Sequence, residues 1–206
     1  MLTFWYEFAS SYSYPAAMRI EAAAKAAGVG LRWRPFLLGP IFAAQGWQDS
    51  PFNLYPLKGQ YMWRDLARIC AKEGLPLRRP SLFPQNGLLA ARVAFAGQNE
   101  PWIGGFTRAI YSANFAEGED ISKPETVLRC LEVAGGEGEA WLASAADPAV
   151  KAAFKAQNDE AAELGLFGAP SFTVDGELFW GNDRLEQAIA WAKGERPVGA
   201  LALSLS

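Results

Sequence analysis

Apolar and polar positions follow different rhythms along this chain, and the changes of rhythm divide it into elements. Leu2 to Phe8 is almost continuously apolar, without clean alternation, which predicts a strand buried on both faces. The run passes through Ser10, Ser11 and Ser13 into an alanine-rich helical pattern holding Met18, Ile20, Ala23, Ala24 and Ala27, with Gly28 and Gly30 as its stop. Two starts for that helix stay open. If Ser10 or Ser11 is the N-cap, Pro15 costs one backbone bond; if Ser13 caps, Pro15 is harmless at the second helical position. Leu31 to Phe36 alternates as a second strand, and strand-helix-strand implies a parallel, right-handed crossover.

From Leu37 the texture changes. Pro40, Gly46, Pro51 and Pro56 punctuate a stretch that reads as loop, after which helical periodicity dominates. Helices are expected over Tyr61–Lys72, from Gly87 to Ala96 and past Pro101 through Phe106 and Tyr111, then over Lys123–Ala134, Glu137–Ser144 and Pro148–Leu164. Asp147 before Pro148 is a good N-cap followed by proline at the first helical position. Beyond Gly165 strand patterning returns: Ser171–Val174 and Glu177–Trp180 flank an Asp175-Gly176 turn and form a hairpin. Asn182 or Asp183 then caps a last helix, Leu185–Lys193. The expected fold class is α/β: a thioredoxin-like sheet from residues 1–36 and 165–196, a large inserted helical domain over 37–164, and a loose tail at 197–206.

Composition narrows the chemistry. Half of the 206 residues are apolar, enough for a sizeable core, and the net charge of −3 with interspersed signs gives no reason to expect nucleic acid or an anionic membrane as partner. There is no histidine, which removes an imidazole base, a Ser-His-Asp triad and the commonest metal ligand together, and no metal site is expected. Cys70 and Cys130 form no C-x-x-C pair and fall on apolar helix faces, so both read as buried free thiols. Strand-like sequence from the first residues leaves no room for a signal peptide, and no apolar run is long enough to span a bilayer; a cytoplasmic protein is expected.

A buried strand feeding a helix through so short a polar turn aims the helix's free N–H groups at one point, an anion site with Ser10 on it. Two further stretches stand out: Phe167-Gly168-Ala169-Pro170-Ser171, where proline leads into a strand, and Trp180-Gly181-Asn182-Asp183-Arg184 at the last helix. Alone, each has an ordinary structural meaning: a cap, a strand boundary, a helix start with an acidic first turn. In this order, together with Tyr6-Glu7-Phe8-Ala9-Ser10 and Pro56-Leu57-Lys58-Gly59-Gln60-Tyr61-Met62, they make the chain resemble the kappa-class glutathione transferases. It resembles still more the related 2-hydroxychromene-2-carboxylate isomerases, within the wider family of DsbA-like oxidoreductases.

The resemblance implies glutathione as cofactor. Ser10 falls where the oxidoreductases keep a reactive cysteine, so its hydroxyl would donate to the thiolate of glutathione while helix N–H groups lower that thiol's pKa. Ala169, before a proline expected to be cis (Pro170), would pair with the cysteinyl part. Asn182 and the N–H groups after Gly181 would hold the γ-glutamyl carboxylate and Asp183 its ammonium, with Trp180 also among the glutathione-binding residues, and Asn53 would reach the thiol end or the substrate. Ser11 stands where the isomerases usually carry proline, and apolar Ile41 and Phe42 stand near a lysine that some relatives have. Lys58, Arg78 and Arg79 are candidates for substrate charge, and Phe83 and Trp47 for aromatic walls. The implied activity is cis-trans isomerisation of 2-hydroxychromene-2-carboxylate or a similar aromatic 2-oxo acid, in aromatic compound degradation. A kappa-type transferase or peroxidase is the alternative, and a non-catalytic peptide-binding module the second. A homodimer stays open.

Overall fold

The computed structural model describes residues 1–196; the expected tail at 197–206 lies outside the described residues. Four strands form one mixed sheet: β1 (Leu2–Tyr6), β2 (Leu31–Pro35), β3 (Ser171–Val174) and β4 (Glu177–Trp180), in the order β2-β1-β3-β4. β1 is central, parallel to β2 and antiparallel to β3, and β3–β4 is the antiparallel hairpin. Its turn has Asp175 at φ 50° and Gly176 at φ 87°, the left-handed pair a two-residue hairpin demands. Between β1 and β2 lies α1 (Ser13–Ala26), and between β2 and β3 a long helical insertion.

That insertion comprises α2 (Leu38–Ala44), α3 (Pro51–Leu54), α4 (Pro56–Glu73), α5 (Leu88–Ala96), α6 (Ile103–Ser112) running into a π-helical turn (Ala113–Glu117), α7 (Pro124–Val133), α8 (Gly138–Ser144) and α9 (Pro148–Glu163). A 3₁₀ turn (Asn182–Arg184) leads into α10 (Leu185–Ala192). Three expectations need correcting. The proline-punctuated stretch is not all loop: Pro51 and Pro56 begin α3 and α4, and Pro40 lies in the first turn of α2, where a missing N–H costs nothing. β1 stops at Tyr6 rather than Phe8, because Ser10 N–H turns back onto the Glu7 carbonyl at 3.0 Å. Neither Asn182 nor Asp183 caps the last helix by a side chain; α10 starts one 3₁₀ turn later.

Alternation along β1 explains its burial on both faces. Leu2, Phe4 and Tyr6 point into a core shared with Ile20 of α1, Phe106 of α6 and Leu131 of α7, while Trp5 points to the opposite face, onto Phe36, Ile41 and Leu166. The helical insertion therefore packs on both faces of the sheet: α6 and α7 share the larger core, and α2 and α9 bring Ile41 and Ala161 onto the Trp5 side. Cys70 and Cys130 are both buried, with burial pushing each thiol up to about 11, so neither is a thiolate at neutral pH. None of the described helices is long and apolar enough to cross a membrane.

Two contacts tie the insertion to the end of β1. Leu38 N–H, in the first turn of α2, donates to Glu7 Oε1 at 3.2 Å. Gly59, buried in α4, passes so close to α3 that a Cβ there would sit 2.2 Å from the Phe52 carbonyl oxygen. Gly59→Ala is therefore expected to push α3 off α4 and to cost roughly 1–3 kcal/mol; an unfolding midpoint equal to wild type would contradict this packing. Glu7 supplies a second expectation. Its half-buried carboxyl has lost most of its solvation, which outweighs the Leu38 hydrogen bond and raises it to about 7. A carboxyl whose folded pKa lies above its unfolded one near 4.3 binds more protons folded than unfolded, so stability should fall as pH rises from about 4.3 to about 7. The loss is at most about 4 kcal/mol, and with no histidine in the chain little else titrates there. Glu7→Gln should flatten that slope; denaturant unfolding at pH 5 and pH 8 that gives parallel losses for both proteins would overturn the assignment.

Candidate active site

Three distant segments meet at the carboxyl end of β1 because of sheet register. Trp5 pairs with Ser171 in the antiparallel β1–β3 ladder, so the chain leaving β1 runs alongside the chain entering β3. The residues next in line on the two sides are Ser10 and the Ala169–Pro170 corner, whose peptide bond is cis. Ser10 Oγ donates to the Ala169 carbonyl at 2.9 Å and accepts from Ser13 N–H, the first residue of α1, at 3.3 Å. The N-cap of α1 is Tyr12, without a side-chain cap bond, and Pro15 falls at the third helical position, so both expected starts were slightly early or late. Ser10 nonetheless accepts from the helix's first N–H. The N–H groups of Ser11, Tyr12 and Ala169 make no hydrogen bond among the described residues.

The turn itself is held from behind. Tyr111 Oη, at the end of α6, donates to the Glu7 carbonyl at 2.7 Å. Asn114 Nδ2, in the π-helical turn, donates to the Phe8 carbonyl at 3.0 Å. Gln85 completes the arrangement: its Nε2 donates to Asn114 Oδ1 at 3.0 Å, and its Oε1 accepts from Ile121 N–H at 2.9 Å. Burial raises the Tyr111 phenol well above its ordinary value, so it remains a donor across the physiological range. None of these three residues stood out in the sequence. The available signal was polar Asn114, three residues past Tyr111 on an otherwise apolar helical stretch.

The expected site residues are distributed as follows. Ser10, Ala169 and Pro170 are together. Trp180, half exposed at 52%, stacks edge-on with Phe167 at 4.8 Å and lies against Gly168, where a Cβ would meet Trp180 Nε1 at 2.3 Å; the aromatic pair thus flanks the proline corner. Gly181 N–H donates to the Pro170 carbonyl at 2.9 Å, which fixes the 3₁₀ turn beside the same corner. Asn182 is buried, and Arg19 of α1 donates to its carbonyl at 2.7 Å and to its Oδ1 at 3.2 Å while also pairing with Glu186. The backbone N–H groups of Asn182 and Asp183 make no hydrogen bond among the described residues, and exposed Asp183 keeps its carboxylate 3.5 Å from Arg184.

Asn53 makes no hydrogen bond to Ser10. Its amide hydrogens go to Asp49 at 3.1 Å and to the Phe83 carbonyl at 3.0 Å, leaving its oxygen for a ligand. Its neighbour Phe52 reaches the mouth of α1 by packing on Tyr12, ring centroids 6.2 Å apart. Phe83 stands edge-on to Trp63 at 5.0 Å and Trp47 packs on Phe42 at 5.4 Å. Ser11 is buried with its hydroxyl 2.8 Å from Met62 Sδ, so it faces the core rather than the helix mouth. Among the cations, Arg78 is tied to the Glu117 carbonyl at 3.0 Å, Arg79 lies over Trp63 and Lys58 over Phe52. No group of three or more metal-ligating side chains occurs among the described residues.

Known proteins share this arrangement of elements. A profile of the DSBA-like thioredoxin domain matches residues 1–189. The chain is 29% identical over 186 residues to the 2-hydroxychromene-2-carboxylate isomerase of Sphingobium xenophagum, covering 90% of this chain and 94% of that protein. It is 29% identical over 187 residues to glutathione S-transferase kappa 1 of Homo sapiens, covering 84% and 81% respectively. A solved structure of a 2-hydroxychromene-2-carboxylate isomerase is similar in fold, with a TM-score of 0.83 over 94% of each chain at 24% identity. With its sheet, its helical insertion and its cis-proline corner all within the matched length, the chain belongs to the DSBA-like thioredoxin domain family.

Proposed function

We propose that the chain is a glutathione-dependent isomerase acting on 2-hydroxychromene-2-carboxylate or a similar aromatic 2-oxo acid. The observation that carries the reading is the Ser10 hydroxyl, 2.9 Å from the carbonyl of a cis-proline corner at the mouth of α1. A serine there supplies a hydrogen bond but no sulfur, and both cysteines are buried elsewhere as thiols. The nucleophile must then arrive with a ligand. The kinship with enzymes named for glutathione transfer and for this isomerisation supports glutathione as that ligand.

On this reading the thiolate lies at the unpaired N–H groups of Ser11 and Tyr12 and accepts from Ser10. Ala169 pairs its N–H and carbonyl with the cysteinyl backbone. The N–H groups of Asn182 and Asp183 donate to the γ-glutamyl carboxylate, and the Asp183 carboxylate faces the ammonium. Glutathione held there would supply a nucleophilic sulfur able to add to the conjugated system and to leave again once the former double bond has rotated, with no net oxidation. Half-exposed Trp180 and Phe167 flank the tripeptide.

Glutathione S-transferase kappa 1 is as similar in sequence as the isomerase, which supports a transferase as the second reading. Ser10→Ala should lose about 1.5–3 kcal/mol of thiolate stabilisation, roughly 10- to 150-fold in kcat/KM. The bound thiol's pKa should rise by about one to two units, read from ultraviolet thiolate absorbance against pH. Turnover at the wild-type rate would remove Ser10 from the chemistry. Consumption of glutathione into a stable conjugate would replace isomerisation by transfer.

A further inference from the structure

Arg92 on α5 is a cation without a counter-charge. It makes no ion pair or hydrogen bond to any described residue, and its Nε is buried with no partner. An arginine Nε held out of water and unpaired costs free energy unless something completes it. Its side chain lines an open cleft of about 140 Å³ with Asn86, Leu88, Leu89 and Ser122. Asn86 Oδ1 is occupied by Leu88 N–H at 3.0 Å, which leaves the Asn86 amide hydrogens unpaired among the described residues. The cleft therefore offers the exposed part of one unpaired guanidinium and the exposed Asn86 amide, beside two leucine side chains.

We propose that this cleft binds a single carboxylate, held by the Arg92 guanidinium and the Asn86 amide, with the apolar body behind it resting on Leu88 and Leu89. Planar, bidentate recognition of carboxylate is what a guanidinium does best. The size decides which part of a ligand enters. Whole small-molecule sites run to roughly 300–1,000 Å³, so this cleft takes one end of a molecule. The local charge decides its valence. Arg92 is the only cation lining the cleft, and Ser122 already donates from its hydroxyl and its N–H to Asp120 Oδ1, at 2.6 and 2.9 Å. A dianion would meet that carboxylate; a monocarboxylate is matched by one guanidinium.

The location gives the cleft a bearing on the site at α1. Gly87, between Asn86 and Leu88, abuts the turn that carries Ser10: a Cβ there would sit 3.0 Å from Phe8 Cβ and 3.8 Å from Ala9 N. The segment that carries Asn86 and Leu88 thus packs on the turn that carries Ser10. Of the cations picked out in the sequence, Arg78 is tied to a carbonyl and Lys58 and Arg79 lie over aromatic rings, whereas Arg92 has no partner among the described residues and lines the cleft. Binding of a carboxylate here does not rest on the isomerase reading; only its identification with the carboxylate of a 2-oxo acid does.

The test is therefore made without thiol. Benzoate titrated into the full chain should bind with a dissociation constant of about a millimolar. It should shift the Arg92 Nε–H and Asn86 side-chain amide resonances, whereas benzyl alcohol and inorganic phosphate should not. Arg92→Gln should weaken benzoate at least tenfold and Arg92→Lys should retain part of the affinity, both with wild-type circular dichroism and melting. Benzoate affinity unchanged in a folded Arg92→Gln protein would overturn the proposal. So would affinity lost in Ser10→Ala, which would put the carboxylate at the thiol site, and so would phosphate binding as well as benzoate. A protein that binds benzoate through Arg92 but shows no isomerase activity would sink the proposed function and leave this site standing.

Discussion

Two carbonyl oxygens decide where Ser10 sits. β1 ends at Tyr6, and the next two carbonyls, of Glu7 and Phe8, lie beyond any neighbouring strand while surrounded by core. A buried carbonyl left without a partner costs about 1–3 kcal/mol, and the turn's own Ser10 N–H reaches only that of Glu7. The phenol of Tyr111 gives the Glu7 carbonyl a second donor, and the amide of Asn114 is the donor to that of Phe8. Both donors come from one place, the last turn of α6 and the π-helical turn after it, so the pair fixes both position and twist of the segment entering α1. A π-helical turn widens the helix by one residue, and here that extra residue helps bring Asn114 round to the Phe8 carbonyl. The helical insertion is thus more than a cover over the sheet: it supplies the backbone partners that let the chain leave β1 sharply and present Ser10 to the Ala169 corner.

The same division, between bonds made nearby and bonds made across the chain, separates what could be read from the sequence and what could not. The β3–β4 hairpin was legible to the residue because the Asp175-Gly176 pair carries its own dihedral requirement. Asp147 accepting from Ala149 N–H was legible for the same reason: an N-cap is settled within three residues. Pro40, Pro51 and Pro56 were misread, because proline in a first helical turn and proline in a loop look alike until tertiary packing decides. Asn182 looked like a cap and is instead clasped by Arg19, 163 residues away in the chain. Tyr111, Asn114 and Gln85 were invisible on the same ground: a buried amide and an exposed one are the same letter, and only the fold says which carbonyl lies opposite. The pieces around Ser10, Ala169 and Trp180 were recognisable only together, since each alone is an ordinary boundary.

Loss of histidine sharpens the chemistry available here. The ionisable side chains nearest the turn are Glu7, pushed up to about 7, and tyrosines whose phenols burial keeps protonated. Tyr12 is further fastened to Asp65 at 3.0 Å. Apart from Glu7, whose Oε1 accepts from Leu38 N–H, such a set is rich in donors and poor in bases.

Ser10 has one hydroxyl hydrogen and two claims on it. Without ligand it goes to the Ala169 carbonyl at 2.9 Å. A sulfur anion at the mouth of α1 can take that hydrogen only if Ala169 releases it, which leaves a half-buried carbonyl without a donor. A simple thiol gains the charged bond of about 1.5–3 kcal/mol and forfeits most of it in the stranded carbonyl, about 1–3 kcal/mol. On the proposed reading a cysteinyl peptide would escape that loss, because its own N–H would replace the hydroxyl on Ala169 in the same movement. If glutathione binds as proposed, the Ala169 corner and the serine act as a pair, and discrimination for a peptide-borne sulfur follows from counting hydrogens, before any contact with the γ-glutamyl end is considered.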